Sequence, residues 1–263
     1  MITSNRESPS VSQKPMDTSQ ALMADSAWKP LYRVAGVAAL LMVVFIAIQS
    51  IVFLAWPPPD TVLGYFTLFQ QNWFLGLLSR DLVYMLSHVL LVLIYLALYA
   101  ALRRASPSFM AIALTLGLLG IAAYFASNTA FEMLALSNQY TAATTDAQRS
   151  QLLAAGQAML AIYQGTAFNV YYVFNAVATL IISVVMLRST IFSKVTASVG
   201  LVTGVLMVIP STVGTIGLSL ALLSLVPFAI WCILIARRLF QLALGGSLQE
   251  AKQPAVAWAN EFK

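Results

Sequence analysis

Charge is scarce in this chain. Only 9% of its 263 residues are Asp, Glu, Lys or Arg, against about 25% in soluble domains. So thin a charged complement, beside 60% hydrophobic residues, excludes an ordinary water-soluble surface. Cysteine is almost absent. The one present, Cys232, excludes an intramolecular disulfide and any cysteine-built metal site. Histidine is equally rare. With His88 alone, no His-Glu-x-x-His zinc motif can exist. No repeat is visible within the chain, so the inverted-repeat pattern of many transporters is missing. The net charge of +5 does not form a patch, because the basic residues stand singly or in pairs between apolar runs. A nucleic-acid partner is therefore not expected, nor is any cofactor.

What the chain does have is long apolar runs. Six of them, at about 34–56, 82–102, 109–133, 166–187, 195–210 and 217–236, approach the roughly 20 helical residues that cross a bilayer core. Their apolar character runs all the way round, not along one stripe, so they are not ordinary surface helices. The fold class expected is all-α: a polytopic membrane protein with six transmembrane helices. Residues 28–241 form the membrane domain. Residues 1–27, rich in Ser, Thr, Gln and Pro, are expected to be a disordered cytoplasmic tail, because such a stretch buries too little to offset its chain entropy. Residues 242–263, with Gly245, Gly246 and Pro254, are expected to be a second, weakly structured cytoplasmic tail.

Basic residues orient the runs. Lys29, Arg33, Arg103, Arg104, Arg188, Lys194, Arg237 and Arg238 flank one side, and only Arg80 and Arg149 flank the other. Eight against two places both termini in the cytoplasm by the positive-inside rule, with the protein in the cell membrane. Trp28, Tyr32, Trp56 and Trp73 are candidate interface anchors.

Two outer connections are more than loops. Residues 61–79 carry Phe66, Phe69, Trp73 and Leu77 at helical spacing. Residues 145–163 open with Thr145 and Gln148 in a capping-box pattern and continue with Leu152, Leu153, Met159, Leu160 and Tyr163 as an apolar stripe. Both read as amphipathic helices that lie at the outer interface or cap the mouth of the bundle.

The chain resembles a bacterial family of six-span integral membrane proteins catalogued only as a domain of unknown function. The resemblance runs from Arg33-Val34-Ala35-Gly36 through Asn72-Trp73, the Asp81–Leu86 start of the second run, Tyr99–Arg103 at its inner end, and the long third connection. It spans roughly residues 31–240 and implies a membrane location. It brings no catalytic residues that could be carried over to positions here.

Polar groups in apolar runs are costly in hydrocarbon and mark candidate sites. Asp81, Tyr84 and His88 share nearly one face of the second run. Glu132 and Asn128 lie near the outer end of the third, and Asn169 near the outer end of the fourth. Gln49 is in the outer half of the first run and Asn175 close to mid-membrane. The inner halves hold only Ser and Thr. A polar pocket open to the outer face follows, with Asp81, Tyr84, His88, Asn128, Glu132 and Asn169 as candidates. Antiparallel packing of the second and third runs would set Asp81 and Glu132 at similar depth. Asp81, His88 and Glu132 are weak candidate metal ligands or a proton relay. They also have a purely structural reading, as headgroup-level charges and an interhelical hydrogen bond. Gly200 and Gly204 give a small-xxx-small pattern, for a homo-oligomer face or for packing inside one bundle.

The leading function is a non-enzymatic binder of a lipid or small amphipathic ligand, with membrane lipids as partners. A proton-coupled small-molecule transporter is the alternative, and an intramembrane metal-dependent enzyme a further one.

Overall fold

The computed structural model describes residues 27–260, with side chains to residue 245. The expected disordered tail lies outside the described residues, apart from its last residue, Ala27. All regular structure among the described residues is helix: α1 (Lys29–Ala55), α2 (Val62–Gln71), α3 (Trp73–Ser79), α4 (Leu82–Leu102), α5 (Pro107–Ser127), α6 (Ala130–Ala142), α7 (Asp146–Tyr163), α8 (Thr166–Arg188), α9 (Lys194–Leu206) and α10 (Gly214–Asn260).

Local chemistry sets these limits. Proline stands in the first turn of both α1 and α5, where its missing N–H would be unpaired anyway. The three prolines after Trp56 cannot continue α1. Thr61 caps α2 by accepting from the Gly64 amide at 3.1 Å. Asn72 ends α2 and starts α3, accepting from the Leu75 amide at 3.0 Å. The capping box of α7 is complete. Thr145 Oγ1 accepts from the Gln148 amide at 3.2 Å, and Gln148 Oε1 accepts from the Thr145 amide at 3.3 Å.

Five stretches are long and apolar enough to cross a membrane: Lys29–Ala55, Leu82–Leu102, Pro107–Ala142, Asp146–Arg188 and Gly214–Gly245. Their outer surface is apolar. Val34, Val37, Leu41, Val44, Ile48 and Ile51 stand exposed along α1, as do Leu222, Leu223, Val226, Ile230 and Ile233 along α10. Water does not tolerate patches of this extent; lipid does. The chain is a multi-pass membrane protein.

The fifth apolar run departs from expectation. Its helix, α9, has 13 residues, about 20 Å at 1.5 Å per residue, short of a 30 Å hydrocarbon core. Pro210 lies in the irregular segment that follows, and Gly214 then takes a left-handed φ of 60°. A proline that removes a backbone donor and a glycine that turns the chain together stop the helix early. The third run is broken too, at Asn128 and Thr129, so that α6 starts afresh. At the C-terminal end, α10 continues through Leu242 to Asn260, where a weakly structured tail is expected.

Six helices pack in a closed ring. Helix α1 lies against α4, α4 against α5, α5 against α8, α8 against α9, α9 against α10, and α10 returns to α1. One half of the ring is filled by an apolar core that includes Leu98, Leu102, Met110, Ile182, Met186, Trp231, Ile235 and Leu239. The other half is covered by α2, α3, α6 and α7. These cap helices have a core of their own, with Tyr65, Phe66, Phe69, Leu77, Ala130 and Met133 at its centre and Leu153, Met159 and Leu160 of α7 packed onto it. The apolar stripe of α7 thus faces protein at the mouth of the bundle. Gly156 makes the approach possible, since a Cβ there would run into Val62 and come within 3.1 Å of the Phe66 ring. Polar contacts tie the cap together: Ser137 Oγ donates to the Phe66 carbonyl at 2.9 Å, and Gln70 Nε2 donates to Ser137 Oγ at 2.9 Å.

Candidate functional site

Between the cap and the core lies a cavity of about 1120 Å³. Its walls come from α1, α4, α5, α8 and α10, and its roof from α7 and Tyr65 of α2. Tyr65, Tyr84, Tyr95, Tyr124, Tyr163, Tyr171 and Tyr172 all face it, seven of the ten tyrosines in the chain.

The polar end is built where α3 meets α4. Asp81 adopts a left-handed φ of 65°, a conformation that short polar side chains tolerate and most others do not. This turn buries Arg80 and Asp81 side by side. Arg80 Nη2 donates to Thr129 Oγ1 at 2.6 Å. The guanidinium lies 4.0 Å from the centre of the Tyr163 ring and 5.1 Å from that of Tyr65, within cation–π range. Tyr163 donates its hydroxyl proton to Asp81 Oδ2. Burial pushes the Asp81 carboxyl up to about 6, against the opposing pull of the Tyr163 hydroxyl and Arg80.

Asn128 splices this corner to the break between α5 and α6. Its Nδ2 donates to the Arg80 carbonyl at 3.0 Å, and its Oδ1 accepts from the Ala130 amide at 3.0 Å. Thr129 Oγ1 goes on to donate to the Met159 carbonyl of α7 at 3.1 Å. One polar corner therefore holds α4, α5, α6 and α7 in register.

His88 lies seven residues beyond Asp81, about 10 Å deeper. Its Nδ1 meets the Tyr84 carbonyl at 2.6 Å. A carbonyl only accepts, so Nδ1 carries the proton, and Nε2 of the neutral ring holds a bare lone pair. That Nε2 is buried without a partner. The imidazole stacks on Tyr124, with centroids 4.0 Å apart and planes at 17°, and meets Tyr171 edge-on at 4.8 Å. Below it, Tyr95 donates its hydroxyl to Asn175 Oδ1 at 2.8 Å. Gly117 leaves room for the Tyr95 ring, since a Cβ there would lie 2.7 Å from Cδ2.

Four more buried polar atoms on the cavity lining lack partners: Gln49 Oε1, Ser79 Oγ, Arg80 Nε and the Tyr124 hydroxyl. Tyr124 stands near enough to Asp81 to favour its anion, yet outside hydrogen-bonding geometry.

Asp81, Tyr84 and His88 therefore line one cavity. Asn128 stands beside it as the splice. Asn169 is half-buried and outside the lining; its Nδ2 donates to the Gly165 carbonyl at 3.0 Å, and its Oδ1 accepts from Thr212, fastening α8 to the segment before α10. Glu132 does not oppose Asp81. The break at Asn128 and Thr129 transfers it to α6, where it is exposed on the cap. Among the described residues, no group of three or more His, Cys, Asp or Glu side chains stands close enough to hold a metal ion.

Gly200 and Gly204 are buried inside the ring. A Cβ at Gly200 would fall on Ser183 of α8 and 2.6 Å from Trp231 Nε1 of α10; one at Gly204 would lie 2.7 Å from Leu180 Cγ. Their surface is occupied by this chain's own helices.

Sequence reasoning missed Arg80 and the tyrosine wall. Arg80 reads as a loop charge because nothing in the sequence shows that the α3–α4 turn is buried. The tyrosines gave a signal, since most fall in the outer halves of the runs, but interface anchoring accounts for such placement equally well.

One family comparison gives a match. Residues 34–240 match the model of a domain of unknown function, DUF4386. The chain belongs to the DUF4386 family. No curated protein and no solved structure matches it. The DUF4386 region covers the whole cap and reaches into all six helices of the ring; the family description assigns no activity, so what the domain does has to be argued from the cavity.

Proposed function

We propose that this protein binds a lipid or small amphipathic ligand in the cavity beneath the cap and does not transform it. The observation that carries this reading is the pairing of a roomy cavity with five lining residues that each hold an unpartnered buried polar atom. Buried polar groups without partners cost free energy, and a bound head group would satisfy them. The volume exceeds the upper range of small-molecule pockets, about 1,000 Å³, and suits a ligand with a tail. Transport fits less well, because the apolar core from Leu98 to Leu239 fills the other half of the ring and leaves no polar path through it.

The same reading takes α9 with residues 207–213 as a sixth crossing, short in helix but complete in span. The ring then has an even number of crossings, both termini are cytoplasmic, and the cap faces out of the cell membrane. In a Cys232→Ala background, cysteines at Asp60 and Thr144 should react with a membrane-impermeant thiol reagent in intact cells. Cysteines at Ser106 and Ser189 should not. The opposite pattern would invert the orientation.

Ala221 of α10 is buried on the cavity wall, and Ala221→Phe should fill part of the space. Native mass spectrometry from mild detergent should show lipid retained by the parent protein and depleted in Ala221→Phe at comparable thermal stability. A parent protein that emerges bare would remove the proposal.

A further inference from the structure

The cavity has a side door. Leu54 of α1 and Leu218 and Leu222 of α10 line it, yet they are 83%, 51% and 56% exposed. A residue that is both lining and exposed stands at a mouth. All three are large and apolar, and they lie on the two helices that close the ring. The core explains the gap. Its buried members on α1 end at Ile46, and those on α10 begin at Trp231. Helices α1 and α10 are thus cemented in one half, where Phe240 packs against Gly36. In the other half no core cluster joins them. A mouth framed by leucines on the flank of a bundle opens to lipid, whereas the route from water lies under the cap.

The inner wall states what enters. His88 Nε2, with its lone pair bare, requires a hydrogen-bond donor. The Tyr124 hydroxyl and Arg80 Nε can donate to an oxygen. Asp81 lies beside Arg80, and the guanidinium is already held by Thr129 and two tyrosine rings, so the site offers no uncompensated cation to an anionic head group. Tyr124, Tyr171 and Phe125 make the surroundings of His88 aromatic, which favours a flat ring over a flexible polar group.

We infer that the cavity takes a membrane amphiphile whose head is a flat, hydroxyl-bearing ring, which enters tail-last between α1 and α10 and donates a hydrogen bond to His88 Nε2. This deepens the proposed function and rests on the cavity being a ligand site. The head lies against His88 and Tyr124, and the apolar tail leaves past Leu54 and Leu222 into the bilayer.

The test is direct binding to the purified full chain of three compounds with the same alkyl chain: a hydroquinone, its dimethyl ether and a plain alcohol. The hydroquinone should bind at least about tenfold more tightly than the ether, a difference of roughly one hydrogen bond. It should also outbind the alcohol, which lacks the ring. His88→Phe keeps an aromatic ring but removes the lone pair, and Tyr124→Phe removes only a hydroxyl. His88→Phe should shrink the preference for hydroquinone over ether several-fold, whereas Tyr124→Phe, which removes a donor that both oxygens accept from, should weaken both compounds. Leu54→Trp combined with Leu222→Trp should slow association several-fold. Equal parent affinity for hydroquinone and ether overturns the head-group assignment, and an unchanged association rate in the double variant overturns the side entry. If either happens while native lipid is still retained, the binding cavity stands. Binding of none of the three, with no native lipid retained, overturns both readings.

Discussion

Arg80→Met should destabilise the protein by about 3 kcal/mol, the scale on which a buried charge suffers when its partner is removed. Three contacts vanish together: the 2.6 Å bond to Thr129 and the placements over Tyr163 and Tyr65. Methionine fills much of the volume, so the loss is mainly electrostatic. Asp81 would be left buried beside no cation, held only by the Tyr163 hydroxyl. Asp81→Asn should be far milder, because asparagine accepts the left-handed backbone at φ 65° and can still accept from Tyr163. Added to Arg80→Met, it should therefore recover part of the loss. Thermal unfolding of the three variants in one detergent measures this. A shift for Arg80→Met no larger than that of an exposed substitution, about 0.5 kcal/mol, would mean that the guanidinium does not join cap to bundle.

The second large effect concerns Gly200. Gly200→Leu should cost about 3 kcal/mol or prevent folding, at the upper end for overpacking. Its first added carbon would already fall on Ser183 and within 2.6 Å of Trp231 Nε1. Trp231 is wholly buried and has no room to retreat. Particle mass should not change in any fraction that folds. A lost oligomer with unchanged melting temperature is the opposite outcome, and it would make the glycine pair an interface between copies.

The membrane class, the helical cap and the position of the cavity were legible because each depends on patterns along the chain. All-round apolarity gives a lipid-facing helix. Thr145 and Gln148 write a helix start in two residues, and the polar side chains at Gln49, Asp81, His88 and Asn175 mark the half of the bundle that holds space. What failed to show depends on breaks and turns. Asn128 and Thr129 interrupt a run whose hydropathy continues, and this swings Glu132 from an expected place opposite Asp81 to the exposed face of α6. Pro210 sits late in its run, so the run is longer than the helix it forms. Arg80 looks exposed by composition and is buried by a single left-handed residue. The tyrosine wall draws on five helices and becomes a wall only once the ring closes.

A structure of the full chain in lipid nanodiscs tests most directly whether the cavity is a ligand site. A bound amphiphile would appear as elongated density that starts against His88 Nε2 and the Tyr124 hydroxyl and leaves the bundle between Leu54 and Leu222. Isolated waters bridging the unpartnered atoms, or a collapsed cavity with α1 and α10 packed together along their whole length, would contradict it.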